Sequence, residues 1–355
     1  MNTELLIEPD EARLARRHPM KARLRVAGVD LGTHVAKVVI AEGSEFGRVI
    51  HAASRIVFPQ GLSGRPIEQA AWVGRWVRQW SSISVGTVVC SLQSAYTEYE
   101  VIPAPSDGDA RAAASAGIVS LLGSACDQAI YDSWQTMGEI DGIPCQVLHL
   151  IWTKDHLARE MCLELAKWGL SCRILKATPT VLYGVGATGE DVLSLIVDLG
   201  HDAATFALID SADTVYVRNQ VAVPTRAAVD QLADVMKCSR PAAETLLAEW
   251  GCDEEAGVIG QRISRILDVW LRGLQFELER TLAYLTQRLQ GQAVQQITLC
   301  GGGSVMRGLD SWLGSRLDVA VRPAALSPGI RWIAAEPYSP LFAEATALAL
   351  TGFPK

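Results

Sequence analysis

The chain lacks several features that would assign it quickly. No stretch approaches eighteen consecutive apolar residues and the N-terminal residues are heavily charged, so neither a membrane-spanning helix nor a secretory leader is expected. The eight cysteines (Cys90, Cys126, Cys145, Cys162, Cys172, Cys238, Cys252 and Cys300) form no C-x-x-C pair and have no histidine at ligand spacing, which removes a zinc or redox motif. Buried thiols in a reducing cytoplasm are the expectation. Basic charge is also in short supply: a net charge of -7 speaks against a general nucleic-acid binder, because neutralising phosphates takes clustered Lys and Arg. No Lys-Ser or Lys-Thr follows the Gly301-Gly302-Gly303 run, so it is not a Walker loop.

What is present fits an ordinary globular protein, with 49% hydrophobic and 20% charged residues. A length of 355 residues suits two compact lobes or one large α/β unit. One local basic cluster, Arg13, Arg16, Arg17, Lys21, Arg23 and Arg25, precedes the first strand. Residues 1–25 read as a solvated arm, with weak attraction to an anionic membrane surface as the alternative.

Self-similarity divides the rest. Val29-Asp30-Leu31-Gly32 runs on to Lys37 and Ile40, and Val197-Asp198-Leu199-Gly200 runs on to Thr205 and Leu208, so that a polar residue falls seven positions after each Asp. Each segment passes a polar turn, 42–45 or 210–213, and reaches a third apolar run, which predicts two three-stranded meanders. The first continues into a helix over 66–80 and a strand over 85–92, the β-β-β-α-β start of a ribonuclease-H-like unit. Trp72, Trp76 and Trp80 share one face of that helix and read as core packing. The second continues into helices over 226–236 and 241–250, with Ser239 as N-cap and Gly251 as stop. A long helical pattern over 259–290 follows, then a strand over 296–299 and a glycine turn into a helix over 309–316. Residues 93–170 fit neither meander and predict a small α+β insertion, with strands over 96–102, 129–137 and 145–152 and helices over 110–122 and 156–168.

In both repeats an Asp ends a strand and a Gly permits a tight turn whose N–H groups point outward. Such a turn holds phosphate oxygens while the Asp holds a hydrated Mg²⁺ against them. One D-x-G turn is an ordinary hairpin, but two at matched spacing form a clamp. Lys37 is placed to approach phosphates as a point charge, and Thr205 to donate a hydroxyl. Gly301–Gly303 permits close approach of a flat ligand such as adenosine, or is simply a strand-to-helix corner.

The ordered set V-D-L-G-T-H-V-A-K from Val29, V-D-L-G from Val197, E-L-E-R-T-L from Glu277, L-C-G-G-G from Leu299 with R-G-L after it, and A-T-A-L-A-L from Ala345 resembles the actin, Hsp70 and FtsA superfamily. Within it, the chain resembles the PilM family of type IV pilus assembly proteins. The resemblance implies an actin-like two-lobed α/β fold built from two ribonuclease-H-like subdomains, with an inserted FtsA/PilM-type α+β subdomain. It assigns 26–92, 171–190 and 341–355 to the first lobe, 93–170 to the insertion, 191–225 and 291–340 to the second lobe, and 226–290 to a helical subdomain. It implies that ATP or ADP and Mg²⁺ bind at Asp30, Gly32, Thr33, Lys37, Asp198, Gly200 and Thr205, with Asp30 and Asp198 holding the metal through water. Glu277, Arg280, Gly301, Gly302 and Gly303 would surround adenosine; on residues alone, Glu277 and Arg280 are also an ordinary surface ion pair.

As partner the resemblance implies the cytoplasmic tail of a PilN-like inner-membrane protein, received in a groove where the insertion meets the first lobe. The chain would then be cytoplasmic and peripheral to the inner membrane through that partner. Contact with the pilus motor ATPase or platform protein, and self-association, stay open. A scaffold is the expectation, with an active ATPase or an FtsA-like filament former as alternatives; the latter relies on a C-terminal amphipathic helix, whereas here a buried-looking helix leads into Thr351–Lys355. The chain departs from the pattern at Leu175-Lys176-Ala177-Thr178-Pro179, where relatives carry an acid, at Ala222-Val223-Pro224-Thr225, where a Gly-Gly pair is common, and at Ala204, where a hydroxyl is common. The first departure implies weak or absent hydrolysis, since Lys176 cannot orient a water as a carboxylate does.

Overall fold

The computed structural model describes residues 24–44, 47–80, 85–105, 109–140, 143–186, 192–210, 213–253, 257–289 and 292–353. Most of the basic arm and parts of both meander turns lie outside these residues.

The first meander is β1 (Arg25–Leu31), β2 (Val35–Ser44) and β3 (Gly47–Val57), followed by α1 (Pro66–Trp80) and β4 (Thr87–Leu92). The insertion contributes β5 (Glu98–Pro103), α2 (Ala110–Leu122), β6 (Ala129–Ile140), β7 (Ile143–Lys154) and α3 (Asp155–Lys167). Its first strand starts at Glu98 rather than at 96, because Ser94–Tyr96 forms a single 3₁₀ turn. The chain returns through β8 (Ser171–Ala177) and the short helices α4 (Thr178–Val181) and α5 (Tyr183–Gly186). The second meander, β9 (Ser194–Leu199), β10 (Ala204–Asp210) and β11 (Asp213–Val221), leads to α6 (Thr225–Met236), α7 (Arg240–Glu249) and the 32-residue α8 (Gly257–Arg288). Ser239 caps α7 by accepting from Ala242 N–H at 3.4 Å. Then come β12 (Gln296–Cys300), α9 (Leu309–Leu317), β13 (Ala320–Pro323), β14 (Ile330–Trp332) and α10 (Ala343–Thr351).

The duplication read from sequence is a duplication of topology. One sheet runs β3-β2-β1-β4-β8 and the other β11-β10-β9-β12-β13, the same order twice. The first carries one additional strand, β14, parallel to β3, so residues 330–332 join the first sheet although 291–340 were assigned to the second lobe. A three-stranded sheet, β5-β7-β6, forms the insertion.

The two large sheets are central layers with apolar side chains on both faces. Val29, Val38 and Ile40 pack on α1 and α3, where Val73 and Met161 are buried. On the opposite face Val26, Val39 and Ala41 meet α10, and that same cluster takes in Ile196, Ala207 and Cys300 from the second sheet. The far face of the second sheet, with Val197, Leu199 and Phe206, is covered by Leu232, Leu267, Leu274 and Leu313 of the helices beyond. α10 therefore belongs to the core of both lobes. Of the tryptophan stripe, Trp72 and Trp76 pack against the α1–α3 core, whereas Trp80 stacks on Trp76 at its margin and is 36% exposed.

The insertion leans on the second lobe. Trp134 Nε1–H donates to Thr214 O of β11 at 2.7 Å, and Arg288 donates to Glu139 O at 2.6 Å. Beneath Trp134 lies His149, 1% exposed, held between Tyr99 Oη at 2.6 Å and Thr136 Oγ1 at 2.7 Å. Burial, with Arg288 adding, pulls its pKa down to about 4, so it stays a neutral element of the packing.

Gly28 in β1 is the contact on which α10 seats: a Cβ there would lie 2.0 Å from Ala345 O and 2.4 Å from Ala349 N. Gly28→Ala should therefore lower unfolding stability by about 2 kcal/mol or more in denaturant titrations. Gly86→Ala, where nothing lies within 4 Å, should change it by less than about 0.5 kcal/mol.

Candidate functional site

β1 ends in the first D-x-G turn and β9 in the second, and the turns face each other across the space between the sheets. In the first, Asp30 pairs in register with Lys37 of β2, which places their side chains on one face and joins Lys37 Nζ to Asp30 Oδ2 at 2.8 Å. In the second, Asp198 pairs with Thr205 of β10. The spacing of seven is thus the register of a two-strand hairpin. Gly32 and Gly200 close their turns so tightly that a Cβ would meet Val35 O at 2.6 Å and Ala203 O at 2.5 Å. Thr33 O accepts from Gln69 Nε2 at 3.0 Å, and Gln69 Oε1 accepts from Gln93 Nε2 at 2.8 Å. Gln93 is buried and its Oε1 has no protein partner.

The glycine run packs on the second turn. β12 lies parallel to β9 with Cys300 opposite Asp198, and Gly301, at φ +78°, leaves so little room that a Cβ would stand 2.0 Å from Asp198 Oδ1. Gly303 lies against Leu199 and Thr225, whereas Gly302 has more space. Asp30, Gly32, Thr33, Lys37, Asp198, Gly200, Gly301, Gly302 and Gly303 are therefore gathered at one place. Thr205 is there too, 3% exposed, but its hydroxyl is engaged across the lobes with Ser94 Oγ at 3.0 Å.

Glu277 and Arg280 do form an ion pair, at 3.0 Å, yet it is not an ordinary surface pair. Arg218 of β11 reaches over Phe206 and takes the same Glu277 carboxylate, donating also to Thr281 Oγ1 at 2.8 Å. Two guanidiniums thus share one partly buried acid, and Arg218 was not foreseen from the sequence.

A second unforeseen residue is Glu344, in the first turn of α10. It is 5% exposed and accepts from Thr178 Oγ1 at 3.1 Å, so a carboxyl from α10 reaches the turn after β8 where the chain has no acid of its own. Burial, then Asp30 and Asp198, push it well above the usual carboxylate range, against Lys37 and the Thr178 hydrogen bond. Burial alone would lower the Lys37 pKa; Asp30, with Asp198 and Glu344 behind it, outweighs burial and pushes it up to about 12. Asp198 is pushed up to about 6 by burial, with Lys37 opposing and Asp30 adding. Three carboxyls around one ammonium leave room for further positive charge, which suits a phosphate-bound divalent cation. Among the described residues no group of three or more His, Cys, Asp or Glu is placed to ligate a metal directly.

The fold has counterparts among solved structures. A PilM–PilN type IV pilus biogenesis complex aligns over 93% of this chain and 99% of that one, with a TM-score of 0.73 at 20% identity. The chain has the PilM-like actin fold. The ethanolamine utilization protein EutJ from Carboxydothermus hydrogenoformans shares the fold with a TM-score of 0.55 at 13% identity, over 92% of this chain and 90% of that one. MreB5 of Spiroplasma citri, solved with ADP, does so at 0.51 and 12% identity, over 93% and 96%. No protein-family model matches the sequence, and no curated protein matches it. At such identities the PilM-like likeness rests on shape, and the facing turns are where that shape meets the sequence motifs.

The raised Asp198 pKa has a stability consequence. Its folded value lies above its unfolded one, so between about pH 4 and 6 the folded chain keeps a proton that the unfolded chain has released. Stability from this group is present below that window and lost as pH rises through it. Without divalent cations, Asp198→Asn should stabilise the protein at pH 7.5 by about 1–3 kcal/mol in denaturant melts, a gain that vanishes near pH 4.

Proposed function

We propose that the chain is a nucleotide-binding cytoplasmic scaffold of a type IV pilus or related secretion assembly, held at the inner membrane by the cytoplasmic tail of a PilN-like protein. The observation that carries the nucleotide half is the pair of facing Asp turns with Lys37 between them. Asp30 and Asp198 would hold the water shell of Mg²⁺, Lys37 and the N–H groups of both turns would receive phosphate oxygens, and Gly301–Gly303 would admit adenosine beside Glu277. Bound Mg²⁺ supplies charge neutralisation to the phosphates. Thr205 would exchange Ser94 for a phosphate oxygen, and Arg218 would yield part of its hold on Glu277 to a ribose hydroxyl.

Hydrolysis would be slow. Glu344 is the acid hydrogen-bonded to Thr178, and burial among other carboxyls raises its pKa well above the usual carboxylate range, which disfavours the ionised form that a general base needs. MgATP at a hundredfold excess over its Kd should stabilise the wild type by about 2.7 kcal/mol, while Asp30→Ala and Asp198→Ala should lose that gain and keep their fold. Equal stabilisation of both variants would overturn the assignment, and phosphate release at the rate of a motor ATPase would replace the scaffold by the ATPase alternative.

The partner half is supported by the likeness to a PilM–PilN complex and by a groove. Its volume is about 510 Å³, and it is lined by Ile102, Pro103 and Ala104 at the end of β5 and by Ala113, Gly117 and Leu121 of α2. It lies within the insertion, not where the insertion meets the first lobe. β5 is an edge strand, and Glu98, Glu100 and Ile102 share the sheet face that α2 covers. An extended tail that adds to this edge would seat an apolar side chain in the groove and a basic one over the glutamates. A synthetic tail of the PilN-like protein should bind with micromolar affinity or tighter, roughly -8 kcal/mol. Leu121→Glu, at a 42% exposed position, should weaken it about tenfold or more in fluorescence titrations without altering MgATP stabilisation. No binding to the intact protein, with or without ATP, would remove the scaffold role.

A further inference from the structure

Each Asp turn carries an imidazole to which the site above gives no role. His34 follows Gly32-Thr33 in the first turn, and His201 follows Gly200 in the second. Their rings stack across the lobes with centroids 4.7 Å apart and planes 20° from parallel. The main chain fixes both: Phe58 N–H donates to His34 O at 3.0 Å, and Arg226 N–H donates to His201 O at 3.1 Å. The stack stands in the space between the turns, where a polyphosphate bridging them would run.

We propose that His34 and His201 are the two jaws of a polyphosphate clasp, which part when nucleotide enters and then each donate a ring N–H to its phosphate oxygens. The inference rests on the nucleotide reading above and adds two binding residues and a pH dependence to it. Two neutral imidazoles stack readily, while two imidazoliums at this separation repel unless an anion lies between them. The phosphate chain is that anion, so its entry draws protons onto the rings.

The neighbouring groups agree with this direction. Around His201 stand Asp202 on its own turn, His34 opposite, Arg226 of α6 and Arg240 of α7. Asp202 is engaged by Arg226 at 3.0 Å, and Arg240 by Asp230 at 2.7 Å. Burial lowers the His201 pKa, with Asp202 opposing and the other three adding, so the closed stack favours the neutral His201 ring. A ring that is neutral in the closed stack and charged against phosphate takes up a proton on binding, and affinity then rises as pH falls through the histidine range.

The test is calorimetric titration of MgATP between pH 8 and pH 6, in buffers of different ionisation heat, for the wild type and for His34→Gln/His201→Gln. Glutamine keeps an N–H donor and removes the titration. The wild type should take up close to one proton per nucleotide at pH 7 and bind about tenfold tighter at pH 6 than at pH 8. The double variant should lose the uptake and show about the ligand's own, flatter profile. Undiminished uptake and slope in the double variant, or a wild type that binds with no uptake, would overturn the clasp and leave the nucleotide reading standing. A wild type that binds no MgATP at any pH would overturn both.

Discussion

The Asp30–Lys37 ion pair is the contact on which the site depends. It is built by the register of one hairpin, it is largely buried, and it gives the surrounding acids a close cation. Without Lys37, the largely buried Asp30, Asp198 and Glu344 would face one another without the ammonium that now compensates them. Removing one partner from such a group leaves an uncompensated charge, which costs far more than the pair contributes. The raised pKa values of Asp198 and Glu344 are the residue of a charge problem only partly solved by one ammonium. A site left short of positive charge is receptive to a cation and its phosphates.

Much of this was legible because it is local. Asp30 to Lys37 and Asp198 to Thr205 each sit seven residues apart within one hairpin, and Gly301 follows its strand directly, so type and spacing carry the signal. The duplicated meander likewise showed in the sequence and became two sheets of one strand order. What was not legible comes from partners far apart along the chain. Glu344 meets Thr178 across 166 positions, and Arg218 meets Glu277 across 59. His34 and His201, 167 positions apart, meet only because the fold brings the two turns face to face. The strand β14 is three residues long and pairs outside its own neighbourhood, a length at which periodicity says nothing.

β11 is where the insertion and the cleft meet. Near its start Thr214 accepts from Trp134, and toward its end Arg218 holds Glu277. Gln220, with a left-handed φ of 53°, donates to Ser94 O at 3.3 Å beside the Ser94–Thr205 contact. One short strand thus carries both the insertion's contact at Thr214 and the groups at Arg218 and Gln220 that line the cleft.

The seat of α10 on Gly28 has a bearing on how the chain is made. β1 leaves the ribosome early, yet the helix that covers one face of its sheet is synthesised roughly three hundred residues later, about half a minute at about 10 residues per second. Through that interval Val26, Val39 and Ala41 have no helix to cover them, and the nascent first lobe presents a bare apolar face. The second sheet, which shares that cluster through Ile196 and Ala207, emerges in between and waits for the same helix. Biogenesis of this fold thus includes a long window in which a chaperone, or premature contact between nascent chains, competes for the surface that α10 will finally occupy.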